Sequence, residues 1–271
     1  MKKISVCIAY YNRPDYLRRT LSAYLNIHNY DLSMTEFIII DDGSWDNLRA
    51  APVCKEFSDR LDIKCFYREN KDDINPAVAI NSSVRLASGE IIIIANPETM
   101  PVTPIIHQIN LGADFQDNQY TPVSCYSVDG WKQNGINVLD INSPTYVEDI
   151  LKIVELKPQQ ANEEGVDGWY SHPVYRPVLF YFMAVMKKEY FWKLGGIDED
   201  FRYGWGYEDT DFVKRLLNDQ PLLLTLPGAT CLHQFHYYYQ NEGNQYVRPY
   251  TTVWEGRQRN ERLYLQKWGS F

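Results

Sequence analysis

Four short apolar runs within the first hundred residues constrain the fold more than any other feature of this sequence. Most of them are rich in isoleucine, and segments with helical spacing separate them. Strands with continuous apolar runs are covered on both faces, and strands that alternate with helices form a mostly parallel sheet. We therefore predict a single compact α/β domain with a central sheet flanked by helices. The predicted strands span 4–9, 37–40, 63–68 and 90–95, and the predicted helices span 47–59, 75–88 and the segment that begins at Pro14.

Polar residues follow three of these four strands, at positions 10–13, 41–44 and 96–98. In an open parallel sheet, ligands bind in the crevice beyond the carboxyl ends of the strands. The three polar clusters are therefore expected to meet at one edge of the sheet and to form a binding site there.

The alternation of strands and helices is lost after residue 100. Residues 101–175 are polar and aromatic with weak periodicity. A strand at 178–186, a helix at 188–193, a helix from Glu208 and a leucine-rich strand at 222–226 follow. No internal repeat or clean linker separates the two parts of the chain. We therefore predict one domain over residues 1–271 with two halves that divide near residue 100.

The charge of the chain limits its partners. The net charge is −8 and the sequence pI is about 5.2, so nucleic acid and anionic membrane surfaces are not expected as partners. A small anionic ligand is still compatible, because one metal ion and local dipoles can outweigh the net charge. The 21 tyrosines and 7 tryptophans fit either a Tyr-rich core or a groove in which aromatic rings stack on sugars.

The cysteines and the apolar segments bear on the location of the protein. The five cysteines are scattered without CxxC spacing, which predicts reduced thiols and not a disulfide framework or a zinc site. The apolar run after Lys3 is too short for a signal peptide, and no stretch approaches the roughly 20 apolar residues of a membrane span. We expect a cytoplasmic protein without a transmembrane segment, which would reach a membrane only peripherally, through a partner.

Two polar turns follow strands in the first half of the chain. Asp41-Asp42 can form an Asx turn before a helix, or it can accept hydrogen bonds from a bound base or ribose. Asn96-Pro97-Glu98 can be a turn with proline at its corner, or its oxygens can hold a divalent cation that bridges phosphates. The residues alone leave both alternatives open, and for the second turn they favour the plain turn.

Two further clusters lie in the second half. The segment 204–211 places acidic residues behind a Gly-Trp-Gly stretch. Acidic residues suit a helix N-terminus, but two glycines around a tryptophan are typical of a loop that shapes a pocket. His233 and His236 lie within four residues of each other, which makes metal ligation an alternative to a structural role.

Several segments together resemble glycosyltransferase family 2, in the order in which that family has them. They are Ser5–Arg13, Ile40–Ser44, and Ala87–Glu90 with the isoleucine run that follows. Gly195–Glu199 and Gly204–Asp211 are similar to the acceptor-side segment of galactosyl- and N-acetylgalactosaminyltransferases. The resemblance implies a GT-A (Rossmann-like) fold and an inverting transfer of a sugar from a nucleotide-sugar, expected to be a UDP-sugar, to a hydroxyl of a carbohydrate or glycoconjugate acceptor.

The resemblance also implies a nucleotide-sugar-binding half at 1–100. The donor-side candidates are Ala9, Tyr11, Asn12, Arg13, either Asp41 or Asp42, Asn81 and Asn96, with Arg85 as a further candidate. The family's Asp-x-Asp metal motif is replaced here by Asn96-Pro97-Glu98, so Glu98 is the expected metal ligand. His233, or His236 in its place, would complete a site for Mn²⁺ or Mg²⁺.

The resemblance assigns acceptor binding and catalysis to residues 101–271. Asp209 matches the family's base position and would take the proton of the acceptor hydroxyl, while Glu208 would orient the acceptor. Trp205, with Gly206 and Tyr207, would bind the sugar. The metal would stabilise charge on the departing diphosphate, so that no strong acid is required.

Two alternatives to a glycosyltransferase are a non-catalytic binding protein and a sugar nucleotidyltransferase. The amide of Asn96 in place of an acid suits a non-catalytic glycan- or nucleotide-binding protein, whereas the Glu208-Asp209 pair and His233 favour the enzyme. A sugar nucleotidyltransferase would open with a Gly-rich phosphate loop, and residues 4–15 contain no glycine.

Overall fold

The computed structural model describes residues 3–27, 32–69, 72–111, 115–157, 167–236 and 250–270. Strands and helices alternate in the first hundred residues, as the sequence predicts. The strands are β1 (Ile4–Tyr10), β2 (Thr35–Asp42), β3 (Asp62–Arg68), β4 (Ile91–Ala95), β5 (Thr99–Pro101), β6 (Gln119–Pro122), β7 (Ser124–Ser127), β8 (Gly168–Ser171), β9 (Met183–Lys187), β10 (Leu222–Leu223) and β11 (Thr230–His233). The helices are α1 (Pro14–Ile27), α2 (Ala50–Phe57), α3 (Ala77–Leu86), α4 (Ile105–Leu111), α5 (Gly130–Asn137), α6 (Tyr146–Val154), α7 (Lys188–Lys193), α8 (Glu208–Asn218) and α9 (Tyr250–Trp268), with 3₁₀ turns at Asp46–Leu48 and Glu199–Tyr203.

The larger of two sheets has seven strands in the order β10-β6-β9-β4-β1-β2-β3. β1 is parallel to both of its neighbours, β2 and β4, and β2 is parallel to β3. Only β9 runs antiparallel to its neighbours in this sheet, β4 and β6. The prediction of a mostly parallel central sheet is therefore confirmed.

Alternate residues of the central strands enter two hydrophobic cores, one on each face of the sheet. Val6 and Ile8 of β1 belong to the core that includes α1 and α2, whereas Cys7, between them, belongs to the core that includes α3, α7 and α8. A strand that is buried on both faces needs apolar residues at every position, which is why the runs in the sequence are continuous.

The smaller sheet has the strand order β5-β11-β7-β8 and was not predicted. Its strands are only three or four residues long and lie mostly in the stretch with weak periodicity. In such short strands the alternation of apolar and polar residues cannot be read from the sequence. This sheet matters for function because β11 ends at His233 and β5 directly follows Glu98.

Three predicted elements differ from the observed ones. The strand predicted at 178–186 is β9, which begins only at Met183, because the aromatic residues before it face a cleft and not the sheet. The strand predicted at 222–226 contains two residues, both exposed. The helix predicted at 47–59 consists of a 3₁₀ turn and α2. Of the helices in the described ranges, none combines the length and apolar character needed to cross a bilayer.

Candidate active site

A cleft of about 290 Å³ lies beyond the carboxyl ends of β1, β2 and β4. Its walls come from both halves of the chain, so the strand ends meet there as expected. The lining residues are Ala9, Tyr10, Tyr11, Arg13, Asp42, Ile74, Asn75, Pro76, Asn96, Pro97, Glu98, Phe180, Tyr181, Phe182, Trp205, Gly206, Glu208, Asp209, His233 and His236.

The two aspartates at the end of β2 have different environments. The carboxylate of Asp41 accepts hydrogen bonds from the backbone N–H groups of Ser44 (3.0 Å) and Ala50 (2.8 Å), which makes it an Asx turn. Asp42 lines the cleft, and its carboxylate pairs with the guanidinium of Arg68. The sequence left a choice between the two, and of the pair only Asp42 is placed where a bound nucleotide could reach it.

The loop after β1 is fixed to the loop after β2 through Asn12. Its backbone N–H donates to Ser44 Oγ (2.9 Å), and its side-chain carbonyl accepts from the backbone N–H of Trp45 (2.9 Å). Asn12 also has a positive φ of 51°, which asparagine tolerates better than most residues. Its side chain therefore holds the loop in place, while its neighbours Tyr11 and Arg13 line the cleft.

Glu98, His233 and His236 form a cluster whose candidate ligand atoms all lie within 4.8 Å of one another. Glu98 Oε1 is 3.6 Å from His233 Nε2 and 3.5 Å from His236 Nε2. The other carboxylate oxygen, Oε2, is 2.6 Å from Arg13 NH1. The carboxylate thus presents one oxygen to the two imidazoles and the other to the guanidinium.

Two backbone segments carry this cluster, and Gln234 joins them. The backbone N–H of Gln234 donates to the carbonyl of Glu98 (3.1 Å), and its side-chain amide lies 3.4 Å from the same carbonyl. Gln234 is fully buried. The turn before Glu98 is closed by a hydrogen bond from the backbone N–H of Thr99 to the carbonyl of Asn96 (3.1 Å). Asn96-Pro97-Glu98 is therefore a turn with proline at a corner, and it also presents Glu98 to the two histidines.

The electrostatics of this cluster favour a permanent anion at Glu98 and a neutral imidazole at His233. Burial opposes the ionisation of Glu98, but Arg13 and the two histidines outweigh it and hold the pKa of this carboxyl well below its ordinary value. Burial, with the neighbouring His236, lowers the pKa of His233 to about 3. A neutral imidazole and a carboxylate are the forms that bind metal ions.

The chemistry of these donors fits a divalent transition metal. Two imidazole nitrogens and one carboxylate oxygen suit a divalent transition-metal ion, whereas Mg²⁺ prefers an all-oxygen site with several waters. The sequence offered His233 or His236 as the second ligand, and the structure brings both to Glu98.

Glu208 and Asp209 open α8 on another part of the cleft wall. The residue before them, Tyr207, has a φ of 71°, and the glycine before that has a φ of 68°. This left-handed pair turns the chain sharply, so that the first two residues of the helix face the cleft. The carboxylate of Glu208 accepts a hydrogen bond from the side-chain amide of Asn75, and Asp209 Oδ1 accepts one from the backbone N–H of Thr210 (2.7 Å).

Both carboxyls of this pair have raised pKa values. Burial, together with the charge of Asp209, raises the pKa of Glu208 to about 8. Burial also raises the pKa of Asp209, although the two hydrogen bonds from Thr210 oppose the shift. At neutral pH Glu208 therefore keeps its proton, and both carboxyls are harder to ionise than isolated ones.

Five of the candidate site residues do not line the cleft. Arg85 is exposed on α3, with its guanidinium carbon 5.4 Å from the centroid of the Trp192 ring, and the other four support the walls of the cleft. Asn12 and Asp41 fix loops, as described above, and Tyr207 forms the turn before α8. Asn81 donates to the carbonyl of Ile197 (2.8 Å) and accepts from the N–H of the same residue (2.9 Å). The amide of Asn81 is therefore used to hold the Gly-Gly-Ile-Asp-Glu segment, away from the expected nucleotide.

Asn75 is a residue of the cleft that the sequence analysis missed. Its side-chain carbonyl accepts from the backbone N–H of Ala77 (3.0 Å) at the start of α3, and its amide donates to Glu208. A signal was present, since an asparagine before Pro76 is typical of a helix N-terminus. Its contact with Glu208, 133 residues away, could not be read from the sequence.

Two segments of the chain that contribute residues to the cleft match known protein families. Residues 5–97 match Glycosyl transferase family 2, and residues 181–240 match the family described as the N-terminal domain of galactosyltransferase. Validoxylamine A glucosyltransferase of Streptomyces hygroscopicus subsp. jinggangensis (strain 5008) is 27% identical over 236 residues, which cover 79% of this chain and 51% of that protein. The chain spans about half the length of the curated relatives it matches.

Solved structures show the same architecture at low sequence identity. The mannosyltransferase PcManGT from Pyrobaculum calidifontis, in complex with GDP-Man and Mn²⁺, matches with a TM-score of 0.55 at 16% identity, over 89% of this chain and 58% of that one. GalNAc-T7 with UDP, GalNAc and Mn²⁺ matches with a TM-score of 0.55 at 15% identity, over 90% of this chain and 44% of that one. At these identities the likeness is one of fold.

Proposed function

We propose that this chain, which is glycosyltransferase family 2-like and has the GT-A fold, is an inverting glycosyltransferase that uses a nucleotide-sugar donor, a divalent metal and a carboxylate base. One observation carries the proposal. The cation-binding group of Glu98, His233 and His236 lines the same cleft as the carboxyl pair of Glu208 and Asp209. A diphospho-sugar needs both at once, the first to hold the diphosphate and the second to activate the acceptor.

The chemistry of the transfer assigns a task to each carboxyl of the pair. The acceptor oxygen forms a bond to the anomeric carbon, the bond from that carbon to the diphosphate oxygen breaks, and the diphosphate leaves with the electron pair. The proton of the acceptor hydroxyl goes to Asp209. Because its pKa is raised, Asp209 is a stronger proton acceptor than an ordinary aspartate. Glu208, in its protonated form, can donate a hydrogen bond to the acceptor.

Glu98, His233 and His236 would hold the divalent ion, for which their donor atoms favour Mn²⁺ over Mg²⁺. When bound, such an ion offsets negative charge on the diphosphate. Arg13, close to Glu98, is placed to contact phosphate oxygens as well. Asp42, Tyr11 and Asn96 complete the donor side of the cleft.

The class of donor and acceptor follows from the relatives together with the cleft. One relative is named a glucosyltransferase for validoxylamine A, and the solved structures include complexes with UDP and with GDP-Man. We infer a UDP-sugar as donor and a hydroxyl of a carbohydrate or glycoconjugate as acceptor, with Trp205 stacking on a sugar ring. A cytoplasmic location, inferred from the cysteines, stays a prediction.

A donor screen tests the proposal directly. The wild-type protein is incubated with UDP-, GDP- and dTDP-sugars, with and without Mn²⁺, and both hydrolysis and the unfolding temperature are measured. We expect one donor class to raise the unfolding temperature by mass action and to be hydrolysed slowly, with both effects lost on chelation. If no nucleotide-sugar binds in the presence of Mn²⁺, the proposed function is wrong.

A non-catalytic glycan- or nucleotide-binding protein is the second candidate. The observation in its favour is Asn96, which replaces an anionic oxygen with a neutral one beside the metal group. Such a protein would bind the donor in the screen but would not hydrolyse it. Hydrolysis that depends on Mn²⁺ and on Asp209 separates the two candidates.

A further inference from the structure

The loop that carries Trp205 into the cleft packs directly against α9. A Cβ atom at Gly204 would overlap with the side chain of Asn260 and with the carbonyl of Gly256, both on α9. A Cβ atom at Gly256 would lie 3.1 Å from the backbone nitrogen of Trp205. Helix and loop therefore touch backbone to backbone. A side chain at Gly204 would overlap with α9, whereas one at Gly256 would require a small shift of the loop.

Asn260 ties the two ends of this loop together. Its side-chain amide donates to the carbonyl of Phe201 (2.8 Å) and to the carbonyl of Gly206 (2.8 Å). Its side-chain carbonyl accepts from Arg259 NH1 (2.9 Å), so the orientation of the amide group is fixed by three partners. Asn260 is fully buried, and a polar side chain at such a position is costly unless all its hydrogen bonds are made.

The hydrogen bonds of Asn260 to Phe201 and Gly206, called the bridge below, lie close to the proposed catalytic residues. Gly206 and Trp205 line the cleft, and the two residues after Tyr207 are Glu208 and Asp209. Tyr264, one helical turn beyond Asn260, contacts the ring of Tyr207 at 5.8 Å between centroids. The geometry points to Asn260 as a positioning residue, which holds the 204–206 loop and the start of α8 in the arrangement needed for sugar transfer. This inference rests on the proposed function.

The bridge comes from a part of the chain that the family comparisons leave unassigned. The two matched segments end at residues 97 and 240, and α9 begins at Tyr250. Among the described residues, the side-chain hydrogen bonds of Asn260 go to Phe201, Gly206 and Arg259, and none of these belongs to the metal group or the donor side. Donor binding and acceptor activation can therefore be separated experimentally.

The test compares Asn260→Leu, which keeps the size of the side chain but removes its hydrogen bonds, with the wild-type protein. We expect turnover of the donor selected in the screen, with UDP-glucose as the first probe, to fall about 10- to 100-fold, because small displacements of catalytic groups are costly. Affinity for UDP in the presence of Mn²⁺ should change by less than about threefold, since the bridge lies apart from the metal group. Trp268→Phe is the matched control on the same helix, because it removes a hydrogen bond to Asp211 (2.9 Å) but leaves the loop contacts intact.

A second readout follows the loop itself and does not require turnover. In protein labelled with 5-fluorotryptophan, the ¹⁹F resonance of Trp205 is assigned by its loss in Trp205→Phe. We expect this resonance to shift or broaden in Asn260→Leu and to be unchanged in Trp268→Phe. If Asn260→Leu does not fold, Gly256→Ala provides a smaller perturbation of the same contact.

The outcomes separate the failure of this inference from the failure of the proposed function. Wild-type protein that neither binds UDP with Mn²⁺ nor hydrolyses any donor contradicts the function, while the ¹⁹F comparison still tests the bridge. An active wild type with an equally active Asn260→Leu, or with an unchanged Trp205 resonance, overturns the positioning role. A parallel loss of UDP binding and turnover also overturns it, because that result indicates a general structural defect.

Discussion

Two of the carboxyl groups that line the cleft, those of Glu98 and Glu208, differ in what surrounds them. Both are glutamates with less than a tenth of their surface exposed. Arg13 and two histidines surround Glu98, and its pKa is well below the ordinary value. Glu208 faces the amide of Asn75 and the carboxyl of Asp209, and its pKa is about 8. One cleft therefore contains a carboxyl that stays charged and another that keeps its proton.

The difference follows from the neighbours of each group, since burial alone raises the pKa of both. A cationic neighbour compensates for lost hydration, whereas a like charge adds to the penalty. A carboxylate that stays charged is suited to hold a cation, and a carboxyl pair with raised pKa values is suited to move a proton. The comparison thus divides the proposed reaction between two sides of the cleft, and each side can be perturbed separately.

The largest effect is expected from Asp209→Asn. This substitution removes the proposed base but preserves its size, and a positioned base typically contributes about 10²- to 10⁴-fold to the rate. We expect turnover of the donor to fall by about 10³-fold, within that range, while affinity for UDP with Mn²⁺ is retained. Initial rates and calorimetric titration measure the two quantities.

Asp219→Asn, after the other end of the same helix, is the matched control and should keep wild-type turnover. Near-wild-type turnover in Asp209→Asn would remove this residue from the mechanism. Equal losses of turnover and UDP affinity would place Asp209 on the donor side and remove the division described above.

The next largest effect concerns the metal. His233→Ala and His236→Ala each remove one candidate ligand nitrogen from the cluster with Glu98. We expect each to lower the affinity for Mn²⁺ by at least about 10- to 100-fold, because the loss of an outer-shell partner alone has an effect of that size. Titration of the protein with Mn²⁺ measures the change, with His107→Ala on α4 as the control. If only one of the two variants binds Mn²⁺ more weakly, the other histidine has a different role.

The sequence predicted the first hundred residues well because burial on both faces of a strand leaves a continuous apolar pattern. The isoleucine runs of β1, β2 and β4 are the clearest example, and the polar residues after them correctly indicated a shared cleft. Which of two adjacent aspartates faces that cleft could not be predicted. They are identical side chains at adjacent positions. Hydrogen bonds from the backbone N–H groups of Ser44 and Ala50 hold the carboxylate of Asp41 in the turn, and Asp42 lines the cleft.

The part of the site that residues 101–271 contribute was harder to predict from the sequence, for two physical reasons. The smaller sheet has strands too short to show periodicity, so the pairing of β11 with β5 was not foreseen. That His233 lies near Glu98 was expected only from the family resemblance. Contacts such as Asn75 with Glu208, and Asn260 with Gly206, join residues far apart along the chain. A local sequence pattern cannot reveal a contact between residues so far apart along the chain. For the same reason, α9 was not predicted as part of the site.

A smaller effect is expected on the free energy of unfolding. Its sign should differ between substitutions at Glu208 and at Glu98. The pKa of Glu208 is about 8 in the folded protein and 4.5 in an unfolded chain, so the folded state binds more protons between these values. Its stability therefore falls as pH rises from about 4.5 to 8. Glu208→Gln removes this penalty and can still accept the hydrogen bond from Asn75. We expect the free energy of unfolding of the metal-free protein to rise by about 1–3 kcal/mol at pH 7, and the two proteins to converge near pH 4.

Glu98→Gln should have the opposite effect, because it leaves the guanidinium of Arg13 without its carboxylate partner. We expect a loss of about 1–3 kcal/mol at pH 7 in urea denaturation, less than for a fully buried pair because Arg13 is partly exposed. If Glu208→Gln and Glu98→Gln change the free energy of unfolding in the same direction, the environments of the two carboxyls are not as different as the contacts indicate.

The smallest effect on turnover is expected from Asp41→Asn. An asparagine in this position keeps the side-chain oxygen that accepts from Ser44 N–H or Ala50 N–H but cannot accept both, since its amide nitrogen only donates. We expect a loss of about 1 kcal/mol in stability, the size of a lost cap, with turnover and UDP affinity close to wild type. Asp42→Asn is the matched variant at the next position, and because Asp42 lines the cleft we expect it to weaken UDP binding. If Asp41→Asn weakens UDP binding as much as Asp42→Asn does, the turn is part of the nucleotide site and not only its support.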